Sequence, residues 1–190
     1  MKREIILVTD GDSIAQKAVE KAALNVGGRC ISRSAGNPTP LTGSTIVELI
    51  KKAKYDPVLV MVDDIGDPGF GKGEQALKDI MEHSDMEILG VIAVASNTEE
   101  IEGIEVDFSI NCMCEIVENA VDKNGLETDS KILYGDTVDI INYIQERPLV
   151  VGIGDIGKMQ GKDRICEGAP VLTKAIKEIL NRSDHKKNEE

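Results

Sequence analysis

The sequence predicts a single three-layer α/β domain, with helices on both faces of a mostly parallel sheet. Three observations lead there. Short apolar runs at 4–8, 58–62, 88–95 and 149–153 alternate with stretches whose apolar residues recur at helical spacing. The first, the second and the last of these runs each end in a loop of glycine and aspartate. The length, 190 residues, suits one ordinary α/β domain and is short for two. The expected division is one domain over 1–182 and a disordered charged tail over 183–190.

The run 4–8 reads as a first strand, and SIAQKAVEKAALN as a helix with a Ser13/Gln16 capping box, stopped by Gly27-Gly28. A second strand around 29–32 leads into SAGNPTPLTGS, a loop that either caps a site or merely connects elements. Thr45 and Glu48 form a capping box for a helix reaching Lys54. Val58–Val62 is apolar at every position, as a central parallel strand covered on both faces should be. A helix over 73–84 presents Ala76, Leu77, Ile80 and Met81 on one face, and 88–95 is another buried strand. Further on, the pattern predicts strands at 106–111, 132–134 and 149–153, and helices at 115–123, 137–146 and 170–181.

Composition narrows the partners. Acids outnumber bases 34 to 22, for a net charge of −12, which repels a phosphate backbone or an anionic bilayer. Aromatic residues make up 3% and Trp is absent, so the stacking platform for single-stranded nucleic acid is missing. Nucleic acid and direct membrane insertion are both set aside. No apolar run approaches the roughly 20 residues that span a bilayer, and the N-terminus reads as a strand rather than a signal peptide; the chain is expected to be soluble. Cys30, Cys112, Cys114 and Cys166 lack the spacing of a zinc site and are expected as reduced, mostly buried thiols.

The chemistry-bearing residues gather in three loops. Asp10, Asp12, Asp63, Asp64 and Asp67 offer hard oxygen ligands of the kind Mg2+ or Ca2+ requires. Gly66, Gly69, Gly71 and Lys72 could let a backbone approach an anion, as could Gly152, Gly154, Asp155 and Lys158 in the last loop. The alternative is a glycine-rich turn with solvated acids and Glu74 at a helix N-terminus. Gly152, Gly154 and Gly157 match G-x-G-x-x-G, inviting a Rossmann-like dinucleotide reading. The motif comes late, with one helix remaining, which favours a loop rejoining that helix over NAD binding. No His, Cys or Ser constellation marks a catalytic residue, so none is assigned.

Two resemblances bear on function. Acidic loops after parallel strands resemble the Toprim-like metal site, which implies metal-dependent phosphoryl transfer, although that family has a Glu after its first strand where this chain has Asp10. ILVTDGD, VDDIGDPGFGKGE and VVGIGDIGKMQGKD, in this order and separation, resemble the stage V sporulation protein AE family of endospore-forming bacteria, in its soluble SpoVAEa type, over residues 2–181. That resemblance implies a non-enzymatic accessory or regulatory protein of the SpoVA machinery, which moves dipicolinic acid as calcium dipicolinate in sporulation and germination. It implies partners among the other SpoVA operon proteins and a place in the forespore or spore, held peripherally at the spore inner membrane through them. The alternative is a Mg2+- or Ca2+-dependent phosphoryl-transfer enzyme or ligand sensor.

Overall fold

A computed structural model describes residues 2–64, 71–96, 102–144 and 146–189, with the side chains of 160, 188 and 189 left aside. The chain runs β1 (Arg3–Val8), α1 (Ser13–Asn25), β2 (Arg29–Cys30), α2 (Gly43–Lys52), β3 (Val58–Met61), α3 (Lys72–Met81) and β4 (Met86–Val94). There follow β5 (Ile104–Glu105), β6 (Phe108–Ile110), β7 (Ile116–Val117), β8 (Ile132–Leu133), β9 (Val150–Ile153) and α4 (Pro170–Glu189), with 3₁₀ turns between. The expected mostly parallel sheet is present: among the described residues it has seven strands in the order β2-β3-β1-β4-β9-β6-β7, all parallel except the short edge strand β7. Strands β5 and β8 form a separate antiparallel pair.

Alternation along β1 builds two cores. Ile6 and Val8 face the layer containing α1 and α4, and Ile5 and Leu7 face the layer containing α2 and α3. All four side chains are fully buried, which is why this strand is apolar throughout. Helix α1 contributes Ala15, Ala18, Val19, Ala22 and Ala23, small residues that let it lie close to the sheet beside α4. Helix α3 places Ala76, Leu77 and Ile80 in the opposite core. The chain therefore leaves the neighbouring strands β1 and β3 toward opposite faces. Such a reversal opens a crevice outside the carboxyl ends of the two strands. Register is even there, with Val8 level with Met61 on one side and Ile92 on the other.

Several boundaries move for local reasons. Asp12, rather than Ser13, caps α1, and Thr42, rather than Thr45, caps α2. The helix expected over 115–123 is instead β7 and a series of turns. Asn111 Oδ1 accepts the N–H groups of Met113 and Glu115, and Asp122 Oδ1 those of Asn124 and Leu126, so side chains fix turns where a helix would need its own ladder. The helix expected over 137–146 shrinks to a 3₁₀ segment at Asp139–Tyr143, preceded by Thr137 at φ 62. The Asp139 carboxylate there accepts from the N–H groups of Glu102 and Gly103. Where a disordered tail is expected, α4 continues to Glu189 and Lys187 bridges Glu4 and Glu87 at 2.8 and 2.9 Å. The cysteines are free, but only Cys112 is buried, and Cys166 is exposed.

Stability should follow burial more than surface ion pairs. Ile92→Ala in β4 removes a fully buried side chain and should cost about 2–5 kcal/mol in urea unfolding. Lys187→Ala, which cuts a partly exposed pair, should cost less than about 1 kcal/mol.

Candidate functional site at the crevice between β1 and β3

The loop after β1 is tied down on both sides. Thr9 donates its N–H to the Ile92 carbonyl, and its Oγ1 accepts from Val94 N–H at 3.0 Å, locking the strand end to β4. Gly11 N–H donates to Asp63 Oδ2 at 3.1 Å, locking the loop to the end of β3. A Cβ at Gly11 would run into the Gly36 carbonyl and lie 2.9 Å from the Asp63 Cβ, so a side chain does not fit. Asp12 Oδ1 accepts from Ile14 and Ala15 N–H, both at 2.7 Å, which caps α1 and places the carboxylate at the helix's positive end.

Residues 35–42 do more than connect. Thr39 clasps Asp63: its N–H and Oγ1 donate to the Asp63 carbonyl, and its Oγ1 accepts from Asp63 N–H at 2.8 Å. Together with the approach of Gly36 to Gly11, this makes SAGNPTPLTGS a wall of the crevice.

Asp64 reaches across to the start of α3. Its two oxygens accept from Gly73 N–H at 2.6 Å and Glu74 N–H at 2.7 Å, while Glu74 returns to accept from Gly71 N–H at 2.9 Å. Burial holds the Glu74 carboxyl above its ordinary range, with the Asp64 and Asp139 charges adding to it. Burial likewise raises Asp136, to which Ser96 Oγ donates at 3.4 Å and whose proton the Asp64 charge also favours. Lys72 opens α3 as its first residue. Gly66, Asp67 and Gly69 lie outside the described residues.

The last loop closes the third side. Asp155 accepts from Gly157 N–H at 2.9 Å and pairs with Lys158. Gly152 lies in β9 against the Ser109 hydroxyl, and a Cβ on Gly154 would stand 2.6 Å from the Gly125 nitrogen. Both glycines thus serve strand and loop packing. The residues after Gly157 form 3₁₀ turns, with α4 beginning at Pro170, so the motif does not open a helix as a dinucleotide fingerprint does.

Asp10 stands where the three loops meet. Burial first, then the charge of Asp12, push its carboxyl up to about 7; Asp63 and Asp155 push the same way, and the Asp12 N–H opposes them. Sequence reasoning missed Asp163, which is fully buried and caps α4 from a distance, accepting from Val171 N–H at 2.7 Å and Leu172 N–H at 3.1 Å. Burial pushes it up to about 6. Eight residues separate it from Val171, so no local capping pattern could reveal it.

The structure therefore brings Asp10, Asp12, Asp63 and Asp155 within electrostatic reach, and turns Asp12 and Asp64 toward helix N-termini. Among the described residues, no three His, Cys, Asp or Glu side chains are gathered so as to hold a metal ion. No helix of the described residues is long and apolar enough to cross a membrane. A family model described as stage V sporulation protein AE1 matches residues 4–183. The chain belongs to that family. A sporulation role follows from this membership. No curated protein and no solved structure matches the chain.

The raised pKa of Asp10 has a definite sign. The folded state holds this proton more tightly than the unfolded chain, so between about pH 4 and about pH 7 the group makes the fold less stable as pH rises. Asp10→Asn should match the parent near pH 4 and exceed it by on the order of 4 kcal/mol above pH 7. Urea unfolding across that range checks it, and a difference independent of pH would contradict it. Gly11→Ala should destabilise at every pH, by about 1–3 kcal/mol, because the obstruction is backbone.

Proposed function

We propose that this member of the stage V sporulation protein AE family is a non-enzymatic accessory or regulatory subunit of the SpoVA machinery, which moves dipicolinic acid, as calcium dipicolinate, in sporulation and spore germination. In this reading it works in the forespore or spore, held peripherally at the spore inner membrane by membrane-embedded products of the same operon. The observation that carries the regulatory role is how the crevice carboxylates are used. Asp12 and Asp64 hold helix N-termini and Asp63 accepts from Gly11 N–H, so these acids couple the loops to one another. A partner or cation that draws on one of them moves a loop, which suits a signalling surface.

A second reading, cation sensing at the same edge, draws on Asp10. Its neighbours Asp12, Asp63 and Asp155 all disfavour its charged form, and Ca2+ or Mg2+ would relieve that repulsion. Asp67 is the further oxygen donor that the sequence places nearby. Calcium dipicolinate could enter through its metal, with Lys158 and Lys72 the nearby cations in the sequence.

A deletion strain should form spores with reduced dipicolinate or altered germination kinetics, and the double variant Asp63→Asn, Asp64→Asn should weaken capture of SpoVA membrane proteins from sporulating cells. Normal dipicolinate content together with normal germination would contradict the accessory role. Calorimetric titration with Ca2+ and Mg2+ checks the sensing reading, for which silence from both ions is the contrary result. Mg2+-dependent turnover of a phosphoester would favour an enzyme instead.

A further inference from the structure

The opposite edge of the sheet carries a second feature of different chemistry. A cleft of about 920 Å3 opens at the amino ends of β1, β4 and β9, beside the last turns of α4. This volume lies within the range of sites that hold small organic ligands, about 300–1,000 Å3. Its cations are Lys2, Arg147, Arg182, Lys186 and Lys187, against the acids Glu82, Glu87 and Glu146. A positive balance there runs counter to a chain of net charge −12. Apolar side chains, among them Met86, Leu89 and Leu149, add a hydrophobic lining.

The cations divide into two groups. Arg147 is held by both oxygens of Asp107 at 3.1 Å and by the Glu105 carbonyl, and Lys187 is held between Glu4 and Glu87. These two form fixed walls. Lys2, Arg182 and Lys186 have no ion-pair partner among the described residues. Arg182 is already oriented, with its guanidinium carbon 3.9 Å from the centroid of the buried Phe108 ring. Stacking occupies the face of a guanidinium and leaves the N–H groups at its edge to fork onto a carboxylate or phosphate.

We propose that this cleft binds a small organic anion, a carboxylate or phosphate group on an apolar body, with Arg182 as the forked anchor and Lys2 and Lys186 as supporting cations. The apolar lining receives the body of the ligand and the three cations receive its head. Because the cleft lies at the amino ends of the strands, it is separate from the aspartate crevice at their carboxyl ends.

Calorimetric titration of the full chain tests this, with phenyl phosphate as the probe, inorganic phosphate as the head alone and a hexaglutamate peptide as an extended acidic chain. Phenyl phosphate should bind saturably and more tightly than inorganic phosphate. Arg182→Gln should weaken it by about tenfold or more, as loss of a charge-assisted pair requires. Lys186→Gln should weaken it less, and Lys17→Gln on the exposed side of α1 should leave it unchanged. Both Arg182 and Lys186 are exposed, so their loss should leave the thermal midpoint near that of the parent. Absence of saturable binding, an affinity unaffected by Arg182→Gln, or tighter binding of hexaglutamate than of phenyl phosphate would each overturn the proposal.

Discussion

The structure depends on a reversal of winding between β1 and β3. Adjacent parallel strands whose connections depart to opposite faces leave their carboxyl ends uncovered, and the backbone N–H groups of the next turns point into that gap. Aspartate is well suited to fill it, being short, anionic and able to accept two or more N–H groups. Here Asp12 holds the start of α1, Asp64 the start of α3, and Asp63 a glycine of the neighbouring loop. Satisfying the backbone in this way has a consequence. Negative charge accumulates at one edge, and Asp10, placed among the others, is driven toward its neutral form.

The same winding sorts charge across the molecule. Helices that begin at the carboxyl edge end at the amino edge, where the helix dipole favours cations, and α2 and α4 close with Lys51, Lys52, Lys186 and Lys187. An acidic chain therefore presents a carboxylate crevice at one end and a cationic cleft at the other. Membership of the stage V sporulation protein AE family gives this arrangement its setting in sporulation. The two ends are physically suited to different partners, cations or basic surfaces at one and small anions at the other.

Much of this was legible in the sequence where a residue's role is local. β1, β3, β4 and β9 show as apolar runs because strands covered on both faces tolerate little else, and Asp63 and Asp155, which follow β3 and β9, do come within electrostatic reach of Asp10 after β1. Strand order is set by packing between distant segments and leaves no local mark. The failed helices at 115–123 and 137–146 have helical apolar spacing, but Asn111, Asp122 and Asp139 bind backbone groups that no periodicity counts. Asp163 and Arg182 were missed for the same reason, since each acts on a residue far away in the chain. The grouping of Asp10 with Asp63 was foreseen from their positions after two strands. That Asp12 and Asp64 would be turned toward helix ends was not.

Burial and the charges of Asp12, Asp63 and Asp155 act together on Asp10, which carries the coupling of the crevice. Carboxyl carbon NMR of labelled aspartate reads this directly, because each side chain titrates at its own resonance. The Asp10 carboxyl should titrate near 7 in the parent and move down when Asp155 is replaced by Asn. An Asp10 midpoint near the ordinary aspartate value of 3.8, unmoved by that replacement, would contradict it.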